Sequence, residues 1–275
     1  MPVDNTFLIR RFEKFEFVYV LFSRVTSLPY VECDEDTFDD QIFIFTDEQR
    51  VKDKIDMYAK DQIMLMPVKV TGPQLKPFLS GLFAIGINYL VVEDEGAPIR
   101  IELEKAAQKP DIEKMKKEQI PGVNPELQLS SIYLLQESAR RIERTAEEKK
   151  ALHDLEEEMA ANLIRSKLIL ADDISDIRGP VNAAAMKNPN NLKKIKIPMV
   201  KSQNDDLFRP VYTDAGEFRK FTAQNRGAKL RVMVVDFADL PKFLPGNAKG
   251  YIVNPGGYKM LLTKEQIGRL MQLYG

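Results

Sequence analysis

Val211-Tyr212-Thr213-Asp214 and Ile44-Phe45-Thr46-Asp47 are the two stretches on which the reading of the fold turns. In each, an apolar run ends in Thr-Asp and an amphipathic segment follows. The two threonines lie 167 residues apart. Downstream, Leu75-Lys76-Pro77-Phe78-Leu79 is answered by Leu240-Pro241-Lys242-Phe243-Leu244 at an offset of 165, and the run from Gly86 by the run from Gly250 at an offset of 164. Matches in the same order at nearly constant spacing predict one structural unit used twice.

The elements around these stretches follow from periodicity. Asn5 caps an expected first helix over 5–16, and 17–23 (FVYVLFS) reads as a buried strand. Further strands are expected at 28–32, 41–45, 63–70 and 87–92, with helices at 47–60 and 75–79 between them. Thr46-x-x-Gln49 has the form of a capping box. The order β-α-β-α-β over 41–92 implies a partly parallel sheet, and the hairpin at 93–103 makes it mixed. In the second half, strands are expected at 166–171, 195–200, 208–212, 229–235, 250–253 and 258–262. Asp214-x-x-Glu217 and Thr263-x-x-Gln266 start helices there, and 172–191 reads as a loop.

Residues 104–125 hold three prolines and a charge run, the composition of a linker. From Leu127 to about Arg165 the pattern fits one long helix or two in series. The expected class is therefore α+β: two tandem α/β-sandwich units, each a mixed, partly parallel sheet of five to six strands covered by helices, joined by a helical linker. The boundaries are 1–109, 110–147 and 148–275, the linker carrying an extra helix that packs on a domain or, as an alternative at 126–146, forms a homodimer surface.

Apolar residues at 44% and charged residues at 29% are those of a soluble globular protein. A single cysteine excludes an intrachain disulfide, which fits a reducing compartment. The start of the chain lacks a secretory pattern, and apolar runs such as 17–22 are too short to span a bilayer. A cytoplasmic protein with no membrane partner is the expectation. Charge is unevenly placed: residues 1–109 carry 13 Lys/Arg against 19 Asp/Glu, and residues 147–275 carry 21 against 16. Opposite faces of that kind can attract, within a chain or between chains.

The second half, through VYTDAGEF and FADLPKFLPGNAKGYIVNPGGYKMLLTKEQI, resembles the SseB family, named for enhanced serine sensitivity in bacteria. The shared features fall on Val211–Asp214 with Glu217 and on Gly250–Pro255, and the resemblance covers about 148–275. The first half keeps Phe45-Thr46-Asp47 but has Glu93-Asp94 near the place of the Asn-Pro turn, and reads as a diverged copy. The resemblance implies this fold, a bacterial cytoplasmic setting and a largely unassigned biochemistry. It carries over no catalytic residues.

Residues capable of chemistry are few. Asp34, Asp36, Asp39 and Asp40 around Cys33 have the start of a calcium loop, but Asp39 stands where that loop needs glycine and Phe45 where it needs glutamate. A solvated acidic hairpin is the simpler reading, and neighbouring acids raise the Cys33 thiol. One histidine, His153, and one cysteine give a zinc site or a catalytic dyad little to draw on. No Walker or G-x-G-x-x-G loop is present, and Asn254-Pro255-Gly256-Gly257 joins strand to strand. Lys193, Lys194, Lys196 and Lys201 beside Arg209 form a basic edge without the interleaved aromatics of a nucleic-acid surface, so such a partner is not expected. Thr46, Asp47, Thr213 and Asp214 remain as candidate ligand or partner contacts at helix N-termini, with plain capping as the alternative, and Asn254 in its turn is a further candidate contact. No catalytic, cofactor or metal residue is expected. The first functional expectation is a non-enzymatic module that binds another protein. The alternative is a small-molecule-binding or enzymatic module linked to amino-acid metabolism, its ligand between the units.

Overall fold

The computed structural model describes residues 15–94, 96–109, 123–178, 188–224 and 227–275. Residues 5–14 of the expected first helix and residues 110–122 of the linker lie outside those residues. The chain is a mixed α+β protein that divides into two compact units, Met1–Ile120 with Pro125–Met159, and Pro121–Asn124 with Ala160–Gly275.

In the first unit the strands are β1 (Phe17–Ser23), β2 (Glu32–Cys33), β3 (Asp40–Phe45), β4 (Leu65–Thr71), β5 (Tyr89–Glu93) and β6 (Ile99–Glu102). They form one six-stranded sheet in the order β4-β1-β3-β5-β6, with β2 added to β3. Only the β3–β5 contact is parallel. Between these two strands the chain passes through α1 (Glu48–Ala59), β4 and α2 (Gly72–Leu82). Val51 and Tyr58 of α1 pack with Leu21, Phe43, Phe45, Leu65 and Val91 in one apolar cluster. Short α3 (Leu103–Ala106) follows β6.

The 127–165 region forms two helices, α4 (Pro125–Ser138) and α5 (Ala146–Arg165). Leu127 and Ile132 of α4 are fully buried, and Gln136 binds Val31 from both ends of its amide: Val31 N donates to Oε1 at 3.1 Å and Nε2 donates to Val31 O at 2.9 Å. That side-chain amide replaces the partner strand that the Val31 backbone lacks. The packing also explains Gly86, whose φ of 87° suits glycine and whose hypothetical Cβ would lie 3.2 Å from Leu129 Cβ.

The second unit contains β7 (Lys167–Asp173), α6 (Pro189–Leu192), β8 (Val200–Lys201), β9 (Leu207–Val211), α7 (Ala215–Gln224) and β10 (Leu230–Asp236). After these come α8 (Leu240–Phe243), β11 (Gly250–Val253), β12 (Met260–Thr263) and α9 (Lys264–Tyr274). Its strands form a β10-β7 pair and a β12-β11-β9-β8 sheet. A single antiparallel bridge, Ile169 to Tyr212, links the two.

Sequence chemistry explains that break. Tyr212 N and O both face Ile169, so by strand periodicity the backbone of residue 210 faces β7 as well. Residue 210 is proline and has no N–H, and the ladder stops after one bridge. Across the gap the Arg209 guanidinium instead meets the Asp172 carboxylate at 2.6 Å, both side chains buried. The sense of pairing from β10 to β12 is antiparallel, antiparallel, parallel, antiparallel, the same series as from β4 to β6.

Several local expectations differ from the structure. Strand 28–32 narrows to Glu32–Cys33 plus a bridge at Pro29, and strand 195–200 to Val200–Lys201 plus a bridge at Lys196. Asp172 and Asp173 belong to β7 rather than to a loop, because Asp172 faces Arg209. The helix at 47–60 is not opened by a Thr46/Gln49 box: Asp47 is the N-cap, and its side chain accepts from Arg50 N at 3.0 Å. Thr46 is drawn away by Asp94, described below. The Thr263/Gln266 box is present at α9.

Candidate functional site

The parallel strands β3 and β5 bring Thr46 and Asp94 together at their C-terminal ends, where the Thr46 hydroxyl donates to Asp94 Oδ1 at 2.7 Å. One residue on, the exposed Asp47 caps α1. The same place in the second unit is built more densely. Asn254, at φ 51° after β11, receives Thr213 N on Oδ1 at 3.0 Å and donates through Nδ2 to Thr213 Oγ1 at 2.9 Å. That hydroxyl donates to Asp214 Oδ2 at 3.0 Å. Asp214 Oδ1 accepts from Gly216 N at 2.6 Å and Glu217 N at 3.0 Å, closing the first turn of α7.

Thr213, Asp214, Glu217 and Asn254 are all buried. Asn124 adds a further tie, donating to the carbonyls of Thr213 at 2.7 Å and Lys167 at 2.8 Å. The amides that would greet an anion at this helix start are therefore already held by Asp214. Tyr212 underlies the cluster, edge-on to Phe218 at 5.2 Å and tilted against Phe221 at 5.6 Å.

Glu217 is the member of this group with unusual electrostatics. Burial raises its pKa; Lys220, at 2.5 Å from Oε1, opposes the rise, and the Asp214 charge adds to it. Gly257 leaves the room, since a Cβ there would lie 2.5 Å from Glu217 Oε2. Asn254 to Gly257 is a hairpin turn, with Gly257 N bonded to Asn254 O at 2.8 Å.

The acidic stretch is a braced turn between β2 and β3. Asp34 Oδ1 accepts from Thr37 N at 2.9 Å and Asp36 N at 3.2 Å, and these bonds hold the Asp34 carboxyl below the usual range. Arg100 contacts Asp39 at 3.1 Å and Asp34 at 3.6 Å while stacking over Tyr89. Asn88 donates to Asp39 at 3.0 Å, and the Tyr133 hydroxyl to Asp40 at 2.6 Å. Desolvation nevertheless raises Asp40. Burial first, and then Asp40, Asp34 and Asp39, raise the Cys33 thiol, so it is a poor thiolate. Among the described residues no group of three or more His, Cys, Asp or Glu is arranged to hold a metal.

At the tip of this turn stands Phe38, 79% exposed at φ 60°, its N–H bonded to Asp34 O at 2.8 Å. An apolar ring projecting from an acidic collar was readable as an anomaly, because turn residues are ordinarily polar or glycine. Beside the turn lies a groove of about 350 Å³, lined by residues including Tyr30, Cys33, Ile63, Tyr133, Arg140 and Leu155. No local sequence pattern marks its tyrosines, since they come from segments distant along the chain.

The remaining candidates separate. His153 is exposed beside Glu156 and Glu157. Arg209 is buried in its pair with Asp172 and is no part of a basic edge, while Lys196 and Lys201 pair with Asp176 and Asp205. Among the described residues no helix is long and apolar enough to cross a membrane.

No protein-family model and no curated protein matches the chain. Among solved structures, "Anabaena Tic22 (protein transport)" aligns over 96% of this chain and 97% of its own, at 10% identity and a TM-score of 0.21. A likeness that slight carries no argument about fold or function.

Proposed function

We propose that this protein is a non-enzymatic, SseB-like binding module of the bacterial cytoplasm, built from two copies of one α/β unit, and that its ligand is another protein. The observation that carries the reading is Phe38, an exposed ring on a turn whose shape is fixed by Asp34, Asp39 and Arg100. Burying such a side chain contributes roughly 2 kcal/mol. A braced turn adds little ordering cost on binding. The acidic collar favours a partner with an apolar socket and a basic rim. The Thr-Asp pairs support the same reading indirectly, because their polar atoms serve the fold: Thr46 holds Asp94, and Thr213 and Asp214 hold Asn254 and the start of α7. The matching series of strand pairings supports the two-copy view.

A photo-reactive phenylalanine analogue at position 38, irradiated in extract of the source cells, tests this. One discrete adduct, weakened at high salt, is expected; irradiation that yields none overturns the reading. The groove beside Tyr30 and Tyr133 favours a second reading, an apolar small molecule with one polar end. A metabolite that raises Tm for the wild type but not for Tyr133→Ala would support it, and a screen without any shift would remove it.

A further inference from the structure

Tyr30 and Tyr133 line the groove beside the acidic turn, and Tyr58 packs edge-on to Tyr30 at 5.1 Å. Their hydroxyls are not equivalent. Tyr58 donates to Glu32 Oε2 at 2.5 Å, and Tyr133 donates to Asp40 at 2.6 Å. The Tyr30 hydroxyl has no partner among the described residues, although Tyr30 as a whole is only 7% exposed. That oxygen is not sealed in the core, so the space it reaches is the groove. Phenylalanine would fill the same place in the core, and the oxygen therefore serves the cavity.

Charge on the walls selects the ligand. The ionised side chains of the lining are Glu32, Glu137, Glu148 and Arg140. Arg140 is spent, its Nη1 on Glu137 at 2.9 Å and its Nε on the Asp61 carbonyl at 3.0 Å. Arg144, outside the lining, also leans on Glu137 at 3.5 Å. Glu32 and Glu148 are left without an ion pair among the described residues. One oxygen of Glu32 accepts from Tyr58 and one of Glu148 from Thr145 N, so each keeps an oxygen open. Burial raises the Tyr30 phenol, and Glu32 adds more to that rise than Arg140 removes, so the field at the hydroxyl is negative.

The rest of the wall is apolar, with Val31, Ile63, Ala151 and Leu155. A volume of about 350 Å³ is at the small end for ligand pockets, which suits one ring or a short chain with a single charged head. We propose that the groove binds a small organic cation, an amine on an apolar body, to which Glu32, Glu148 and the Tyr30 oxygen supply the acceptors. This rests on the small-molecule reading of the groove and adds the sign of the ligand's charge.

Isothermal titration of the full chain with three probes that share one apolar body is the test: 4-phenylbutylamine, 4-phenylbutanol and 4-phenylbutyrate. The amine is expected to bind at least about tenfold more tightly than the alcohol, and the acid most weakly. Glu32→Gln/Glu148→Gln keeps acceptors for Tyr58 and Thr145 and should bring the amine down to the level of the alcohol. Tyr30→Phe should weaken the amine by about threefold or more with Tm unchanged, whereas a tyrosine of purely structural role would lower Tm and leave binding alone. Should the double variant lose structure by circular dichroism, Tyr30→Phe decides. Amine and alcohol binding alike, or the acid binding best, overturns the inference and leaves the groove as an apolar site. Binding of none of the three overturns both readings. Amine binding unchanged in the variants overturns the inference by placing the cation elsewhere.

Discussion

The two Thr-Asp stretches are alike in sequence and unlike in setting. In the first unit the Thr46 hydroxyl meets a carboxylate, Asp94, and the capping Asp47 stands in solvent. In the second, Thr213, Asp214 and Asn254 form a buried, mutually bonded set with Glu217 enclosed beneath Gly257. The same Thr-Asp pair thus serves as a surface cap in one place and as part of a polar core in the other. Burial, not residue identity, decides how much each bond contributes, because an orphaned buried group loses its partner without regaining water.

That contrast predicts unequal costs for equal substitutions. Asn254→Ala removes two bonds to Thr213 and places alanine at positive φ, and should cost about 3 kcal/mol. Asp94→Ala, which takes the partner from the half-buried Thr46 hydroxyl but strains no backbone, should cost about 1.5 kcal/mol. Urea unfolding followed by far-UV circular dichroism measures both, and equal costs would erase the distinction. Next in size, Asp214→Ala should lose about 2 kcal/mol against about 1 kcal/mol or less for Asp47→Ala, since Asp214 holds two amides in the interior and Asp47 one in solvent.

The smallest effect is a slope. Glu217 keeps its proton in the folded chain above its usual value of 4.5, whereas the unfolded chain releases it there. Between those two pKa values the folded state binds more protons, so stability falls as pH rises through that window. Glu217→Gln has no proton to release, and its stability should change less with pH over that interval. No counterpart exists in the first unit, where the residue three past Asp47 is Arg50.

How much of this was legible in the sequence depends on range. Local rules placed the helix after each Thr-Asp pair, the Thr263 box and the Asn254–Gly257 hairpin, because caps and turns are set by residues a few positions apart. The same rules misassigned Thr46 to a capping box, since its partner, Asp94, lies 48 residues away and is invisible to a local pattern. Asp172 sits in a stretch whose composition reads as loop for the same reason, its partner Arg209 arriving from another strand. Pro210 lay in plain view, yet its effect follows only once the side of β9 that faces β7 is known. Of the candidate contacts, Thr213, Asp214 and Asn254 come together, Thr46 joins Asp94 instead, and of the acidic residues Asp34 and Asp39 meet at Arg100 while Asp40 bonds Tyr133. Phe38 within the acidic turn carried a readable signal of its own; the tyrosines of the groove did not.

The claim that matters most is that the surface ring, and not the capping pairs, meets the partner. Affinity capture from extract of the source cells with three baits, wild type, Phe38→Ser and Asp47→Ala, tests it most directly. The expected result is one protein retained by wild type and Asp47→Ala and lost with Phe38→Ser. Retention by Phe38→Ser together with loss in Asp47→Ala would contradict the account and return the Thr-Asp pair to the role of ligand contact.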